Sequence, residues 1–306
     1  MQTPVDIPKV DIGSSTIPRL FLGDHGYLAK LDSVLTIDEV VASMQKMLAT
    51  TSVGIAAGET RVIDAAIRAL CGAHVGRLMI HADTQALFKG ERIRYRHLAA
   101  TTISRFAELG LDIEADPILG FLHETGAQGD RIPSDVVGDL QLDESALQVW
   151  ETDIRRAQPS IVSVGGDWLD LLMLVGRRDL ALEGISRLAK AAASSGAAVV
   201  ATTYVGALVD PKTIGPVLHA VDGLLVPLNH SGFGMLPSAG DHLAWLQRVN
   251  KPVVGMHVLV GGSSPGLALK WLDLPFVAAL VVGAASEPHQ HALATAANDH
   301  FRKAGE

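Results

Sequence analysis

Residues 252–289 read PVVGMHVLVGGSSPGLALKWLDLPFVAALVVGAASEPH, and this stretch contains two successive strand–helix units. Each unit opens with an unbroken apolar run, one at 252–260 and one at 277–282, and a glycine-containing turn follows. Pro265 and Pro288 stand where a first helical turn begins. Strands buried on both faces of a parallel sheet have such unbroken runs. The stretch therefore predicts parallel strands with helices packed against them.

The same alternation continues toward the N terminus. Short runs rich in Val, Ile and Leu occur at 21–27, 53–57, 77–83, 112–121, 160–166, 198–204 and 223–229. Helical patterns lie between most of these runs, and Thr36 with Glu39 predicts a capping box before the first long helix. Repeated strand–helix units favour an α/β fold, a (β/α)8 TIM barrel formed by residues 1–306 as a single domain.

One strand-like run is in excess, because nine are visible and a barrel needs eight strands. The weakest is 112–121, which Pro117 interrupts, and polar residues follow it. We therefore predict an irregular insertion around 112–143. A doubly wound open sheet is the alternative fold, and it is disfavoured because no Gly-x-Gly-x-x-Gly follows the first strand.

Composition excludes several protein classes. The chain has 306 residues, of which 48% are hydrophobic and 19% charged, so a disordered chain is excluded. Cys71 is the single cysteine, which excludes a disulfide scaffold, and its helical context predicts a small buried side chain. A net charge of −8 argues against broad binding to nucleic acids or anionic membranes.

The location and partners follow from the same composition. The longest apolar run, 276–285, is about half the length of a membrane-spanning helix. The first residues lack the basic and apolar segments of a secretory signal. We therefore expect a cytoplasmic protein with a small-molecule substrate, without nucleic-acid or membrane partners. Apolar helix faces also allow a homodimer.

Three stretches resemble the aldo-keto reductase superfamily. Residues 9–26, KVDIGSSTIPRLFLGDHG, are similar to its N-terminal hairpin and first barrel strand, and residues 252–289 are similar to its last two βα units. Residues 55–70 are similar to the segment that carries the family's catalytic Asp and Tyr. The resemblance implies a TIM barrel that opens with a hairpin, and it makes NADPH a possible cofactor.

The family's catalytic pattern is not matched. Its Asp-Thr-Ala and Tyr-Gly elements are missing near 53–59, and the next strand ends in Ile80-His81-Ala82-Asp83, where the family has a Lys. The resemblance therefore predicts the fold rather than the reductase chemistry. Reduction would need a different acid, such as Tyr27 or Tyr204, so the cofactor stays unknown.

Candidate chemistry lies at the strand ends, where TIM-barrel enzymes build their sites. The candidate catalytic residues are Asp24, His25, His81, Asp83 and His230. The candidate substrate-binding residues are Tyr27, Asp167, Tyr204, Asn229 and His257. Asn229 and His230 precede the glycine-rich stretch SGFGM, which is typical of a loop over a pocket.

Histidine titrates near neutral pH, so histidine with a carboxylate is suited to moving protons. His81 and Asp83 are two residues apart and share a face of their strand. We take Asp24, His81 and His230 as the acid–base set. No His-x-His or His-Glu-x-x-His occurs, so no metal ligand is predicted.

Two late turns are candidate anion sites, because each follows a strand and opens a helix. Their residues are Gly261, Gly262, Ser263, Ser264, Gly283 and Ser286. The favoured function is a lyase or isomerase that uses His/Asp acid–base catalysis on a carbonyl-containing or anionic metabolite. Three alternatives remain open: an NAD(P)H-dependent reductase with a rearranged site, a metal-dependent hydrolase, and a catalytically inactive barrel that binds a ligand or a protein.

Overall fold

The computed structural model describes residues 5–28, 30–31, 34–71, 77–82, 88–89, 141–174, 177–284 and 286–304. Almost all of the predicted insertion around 112–143, and Asp83, therefore lie outside the described residues.

Eight parallel strands form a closed barrel. Its strands, in the order in which they pair around the barrel, are β3 (Leu20–Gly23), β4 (Gly54–Ala57), β5 (Leu78–Ala82), β8 (Ile161–Gly165), β9 (Ala198–Thr202), β10 (Gly223–Pro227), β11 (Val253–Met256) and β12 (Val277–Gly283). β12 pairs with β3, with Leu280 opposite Leu20, and this pairing closes the barrel. The predicted (β/α)8 barrel is confirmed, and it closes through β5 and β8 without the run at 112–121.

Helices follow the strands and form the outer layer. They are α1 (His25–Leu28), α2 (Ile37–Thr50), α3 (Thr60–Leu70), α4 (Glu144–Ala157), α5 (Asp167–Leu174), α6 (Arg178–Ala193), α7 (Pro211–Ala220), α8 (Ala239–Val249), α9 (Pro265–Leu269) and α10 (Glu287–Ala304). A 3₁₀ turn, Lys270–Asp273, extends α9. The predicted capping box is confirmed: Thr36 accepts the Glu39 N–H, and the Glu39 carboxylate accepts the Thr36 N–H.

Cys71 shows where a helical pattern misleads. α3 ends at Leu70, and Cys71 takes the left-handed C-cap conformation with φ +49°. That conformation turns the side chain out of the apolar face, and Cys71 is exposed. The prediction of a buried Cys71 is therefore wrong.

A hairpin closes the N-terminal end of the barrel, which we call the floor. β1 (Lys9–Ile12) pairs antiparallel with β2 (Ser15–Pro18), and Ile12 and Ile17 are completely buried. The Ser15 hydroxyl donates to the Gly196 carbonyl at 3.1 Å and accepts the Ala198 N–H at 3.1 Å. The hairpin is thus attached to the start of β9, and the predicted N-terminal hairpin is confirmed.

Three basic side chains complete the floor. Arg19 donates to the carbonyls of Leu272, Val277 and Ala278 at 2.8–3.1 Å. Arg77 donates twice to the Val53 carbonyl, at 2.7 and 2.9 Å, and the Lys251 ammonium donates to the Val221 carbonyl at 2.8 Å. Each basic residue precedes a barrel strand, so these contacts satisfy carbonyls where the strands begin.

A second strand pair lies outside the barrel. β6 (Phe88–Lys89) pairs antiparallel with β7 (Gln141–Leu142).

Among the helices that the structure describes, none has both the length and the apolar composition of a membrane span.

Candidate active site

Asp24 and His81 meet at the C-terminal end of the barrel, which we call the mouth. Asp24 follows β3, and its Oδ2 accepts the Gly58 N–H at 2.6 Å. A Cβ atom on Gly58 would lie 3.2 Å from the His81 Cβ and 3.7 Å from the Asp24 Oδ2. Gly58 therefore stands between the two side chains, and the ends of β3, β4 and β5 bring an acid and an imidazole together.

Opposing effects act on His81. Burial of its imidazole lowers its pKa below the ordinary histidine value, and the negative charge of Asp24 raises that pKa in part. His81 is partly exposed to solvent, and Asp24 is buried, with 7% of its surface exposed. An imidazole beside a buried carboxylate is suited to accept and return a proton.

Two buried hydroxyls continue from His81 around the barrel. The His81 Nδ1 lies 3.4 Å from the Ser163 Oγ, and that atom lies 2.5 Å from the Thr202 Oγ1. His81 and Ser163 are directly paired across β5 and β8, so their side chains share one face of the sheet. We call Asp24, His81, Ser163 and Thr202 the polar row.

A buried carboxylate organises the next strand end. Asp170, in α5, is completely buried; it accepts the Thr203 hydroxyl at 2.5 Å and the Tyr204 N–H at 2.8 Å. These bonds hold the chain directly after β9. The Tyr204 hydroxyl lies 3.5 Å from the His257 Nε2, and the two rings are tilted with centroids 5.7 Å apart.

His257 adopts an uncommon backbone conformation. It follows β11 with φ +57°, in the left-handed region that side chains other than glycine seldom occupy. Its ring also lies 5.8 Å from that of Phe233. The strand ends of β9 and β11 thus bring together Tyr204 and His257, two of the predicted substrate-binding residues.

Asn229 organises the loop after β10. Its Oδ1 accepts the Phe233 N–H at 2.9 Å and the Ser231 hydroxyl at 2.7 Å, and its Nδ2 donates to the Phe233 carbonyl at 2.8 Å. The residue is 2% exposed. These bonds show how Asn229 fixes the position of Phe233 near His257.

His230 lies on the outside of the same loop. It is exposed, its ring is 5.0 Å from that of Trp271, and its Nε2 lies 3.3 Å from the Leu267 carbonyl. These contacts are with α9 and the turn that extends it. The structure therefore groups His230 with α9 rather than with the polar row.

Tyr27 points into the helical layer. The ring is completely buried, and the hydroxyl lies 3.2 Å from the Ser43 hydroxyl and accepts the Gln290 amide at 2.7 Å. Desolvation raises the pKa of Tyr27 above the ordinary tyrosine value. Tyr27 thus joins α2 to α10.

The two glycine-rich turns differ in charge. Gly261 and Gly262 both have φ +76°, and the Ser264 hydroxyl caps α9, a helix of five residues, by accepting the Leu267 N–H. Ser263 donates to the Val260 carbonyl. Gly283 ends β12 and Ser286 precedes α10, whose first turn contains Glu287 paired with Lys46. Glu287 disfavours a second negative charge at that turn.

The remaining candidates are described in part or not at all. His25 begins α1 and Asp167 begins α5, and the structure places their backbones only. Asp83 lies outside the described residues. Within the described ranges, no three His, Cys, Asp or Glu side chains form a group that would hold a metal ion.

Three site residues were missed by sequence reasoning. Gly58 and Ser163 lie in or next to apolar strand runs, and Asp170 lies in the leucine-rich helix DWLDLLML. The available signal for Ser163 and Asp170 was the same: a polar residue between apolar neighbours needs a buried hydrogen-bond partner.

Comparisons with known proteins agree with the barrel. No protein-family model and no curated protein matches the sequence. A structure from Pseudomonas aeruginosa assigned to the aldo-keto reductases is 12% identical with a TM-score of 0.55, over 96% of this chain and 95% of that one. Gox0644 in its apo form is 8% identical with a TM-score of 0.54, over 98% and 96%.

A third similar structure is the aldo-keto reductase of Bombyx mori in complex with NADP. It is 11% identical with a TM-score of 0.50, over 96% of this chain and 93% of that one. The chain thus has the aldo-keto reductase-like TIM barrel that its sequence resembles. At these identities the similarity concerns the fold alone.

Proposed function

We propose that this chain is an enzyme that moves protons on a small carbonyl-containing or anionic metabolite, as a lyase or isomerase does. His81 is the acid–base group, and Asp24 is the carboxylate that favours its protonated form. One observation carries the proposal: both side chains flank Gly58 at the mouth, where Asp24 accepts the Gly58 N–H at 2.6 Å.

The chemistry follows from the charges of this pair. Neutral His81 takes a proton from the carbon next to a carbonyl group, and Asp24 stabilises the imidazolium that forms. The same imidazolium then returns the proton to another atom of the substrate, which completes an isomerisation, or to a leaving group, which completes an elimination. Atoms and charge balance in both cases without a further reactant.

Solvent deuterium exchange tests the proposal without knowledge of the natural substrate. The protein is incubated in D₂O with a panel of hydroxyketones, hydroxyaldehydes, 2-oxo acids and sugar phosphates, and mass spectrometry detects deuterium next to the carbonyl. We expect exchange on at least one compound class. His81→Gln slows it by about 100-fold or more, the usual contribution of a general acid or base.

Two further variants make the test specific. Asp24→Asn keeps the shape of the side chain, removes the charge and slows the same exchange. His219→Gln, at an exposed histidine in the last turn of α7, is the matched control and leaves the rate unchanged. Equal rates for wild type and His81→Gln, with circular dichroism showing both folded, contradict the proposal.

A second candidate function is carbonyl reduction with NAD(P)H, and the Tyr204 contact favours it. Tyr204 lies 3.5 Å from the His257 Nε2, so its hydroxyl is a phenol next to an imidazole that replenishes its proton. NAD(P)H supplies a hydride when bound, and Tyr204 would donate a proton to the carbonyl oxygen. The Bombyx mori structure contains NADP.

Calorimetric titration with NADPH, and separately with NADH, tests this candidate. Micromolar binding, together with NADPH-dependent reduction that Tyr204→Phe abolishes, supports it. Absence of heat with both nucleotides eliminates it and leaves the His81 proposal unaffected, because proton transfer at His81 needs no nucleotide.

A further inference from the structure

Ser163 and Thr202 form a hydroxyl pair. Among the side-chain hydrogen bonds of the described residues, the pair is joined to His81 at the mouth. Both side chains are nine-tenths buried or more, with exposures of 0% and 1%, and they lie 2.5 Å apart. A buried hydroxyl needs a hydrogen-bond partner. Apolar side chains at these two strand positions would stabilise the core more than the hydroxyl pair does. The burial of two hydroxyls at this place therefore indicates a functional role.

The register of the sheet explains how the pair reaches His81. Ser163 is directly opposite His81 across β5 and β8. Thr202 is two residues beyond Val200, the residue paired with Ser163, so Thr202 lies on the same face. The three polar atoms thus follow one another along neighbouring strands, at 3.4 and 2.5 Å.

A hydroxyl both donates and accepts, so the direction of these bonds is reversible. With the proton of neutral His81 on Nδ1, Nδ1–H donates to Ser163 and Ser163 donates to Thr202, and the Nε2 lone pair is free to take a proton from a substrate. The other neutral tautomer, with its proton on Nε2, needs both bonds reversed, with Thr202 donating to Ser163 and Ser163 donating to Nδ1. Rotation of two hydroxyl groups accomplishes the change, and no heavy atom moves.

We propose that Ser163 and Thr202 are positioning residues that hold the proton of neutral His81 on Nδ1, which leaves Nε2 as the base. This inference rests on the proposed function only in giving the tautomer a purpose, since Nε2 must lack a proton before it can take one from a substrate. Asp24 is the charged group that acts on the imidazole from β3, and the groups from β8 and β9 are the two hydroxyls.

The test is an NMR titration of the full-length protein with ¹⁵N-labelled histidine, in which His81→Gln assigns the His81 signals. The two ring-nitrogen shifts report the tautomer, and their pH dependence gives the pKa. In wild type we expect one dominant tautomer, with its proton on Nδ1. Ser163→Ala removes the acceptor of Nδ1–H, so it lowers the pKa of His81 by about one unit and mixes the tautomers.

Thr202 offers a matched pair of variants. Thr202→Val keeps the shape and removes the hydroxyl, and we expect a smaller shift in the same direction. Thr202→Ser keeps the hydroxyl and restores the wild-type titration. Thermal unfolding of each variant shows that the protein remains folded at the titration temperature.

The outcomes separate this inference from the proposed function. An unchanged pKa and tautomer of His81 in Ser163→Ala overturns the inference, even if His81→Gln abolishes deuterium exchange. A shift in Ser163→Ala together with unaltered exchange in His81→Gln supports the inference and overturns the proposed function. Equal titrations of Thr202→Val and Thr202→Ser remove Thr202 from the mechanism.

Discussion

The floor and the mouth of this barrel use polar side chains in opposite ways. At the floor, Arg19, Arg77 and Lys251 donate to backbone carbonyls, which are fixed acceptors. At the mouth, His81 contacts a hydroxyl and lies beside a carboxylate, groups that respond to a change of its charge. The same strands thus have stabilising contacts where they begin and titratable groups where they end, as in TIM-barrel enzymes generally.

Removing a floor contact has the largest expected effect on stability. Arg19→Ala leaves three buried carbonyls without their donor and lowers the free energy of unfolding by about 3 kcal/mol. Arg68→Ala is the control, because Arg68 makes an exposed ion pair with Asp38, a kind of pair that contributes at most about 1 kcal/mol. Urea denaturation measures both. Equal losses of unfolding free energy in the two variants would contradict the stabilising role of the Arg19 contacts.

His242 provides a pH-dependent test of stability. It is completely buried in α8, and burial lowers its pKa to about 4, although the nearby carbonyls of Leu236 and Pro227 favour the charged form. Neither ring nitrogen makes a well-formed hydrogen bond. Because the unfolded chain binds the proton at an ordinary histidine pKa near 6.5, stability falls as the pH drops from about 6.5 toward 4.

We expect this loss to reach about 3 kcal/mol near pH 4. Thermal unfolding of wild type and His242→Phe between pH 4 and 8 measures it. The variant should show a flatter pH dependence, whatever its stability at pH 8. A slope between pH 4 and 6.5 that is the same for both proteins would contradict the assignment.

Gly58→Ala is a smaller perturbation placed inside the mouth. The added Cβ would lie 3.2 Å from the His81 Cβ, so that atom must shift by a few tenths of an ångström, and the imidazole attached to it moves as well. We expect a loss of about 1 kcal/mol in stability and an altered His81 titration. Gly215→Ala, in α7, is the control, since a Cβ atom added there would meet no atom within 4 Å outside its own stretch of helix. An unaltered His81 titration in Gly58→Ala would show that Gly58 does not separate the pair.

The smallest expected effect belongs to His230→Gln. Its ring contacts Trp271 and the Leu267 carbonyl, so removing it should leave the pKa of His81 unchanged. The same NMR titration measures this. A shift of the His81 pKa would place His230 back in the acid–base set.

The fold was predictable because the barrel strands are short, mostly apolar runs and helical patterns lie between them. The capping box at Thr36 was equally visible, because both partners are three residues apart. For the site, the sequence predicted which residues lie at strand ends, but it did not predict where their side chains point. Strand ends locate Asp24 and His81, and they also locate Tyr27, whose ring α1 turns into the helical layer. Side-chain direction depends on tertiary packing.

Ser163 and Asp170 illustrate what sequence patterns leave open. Each is a polar residue between apolar neighbours, and the hydroxyls that contact Ser163 and Asp170, those of Thr202 and Thr203, are 39 and 33 residues away in the chain. The strand register brings Ser163 to its partner, the packing of α5 brings Asp170 to Thr203, and a single sequence reveals neither. The residues that connect the candidates were therefore harder to find than the candidates themselves.

The most direct test of the account is the NMR titration of His81 in wild type and in Asp24→Asn. At the mouth, the negative charge of Asp24 raises the pKa of His81. We therefore expect the removal of that charge to lower the pKa of His81 below its wild-type value. Identical titration curves for the two proteins would contradict the pairing, and with it the proposed acid–base site.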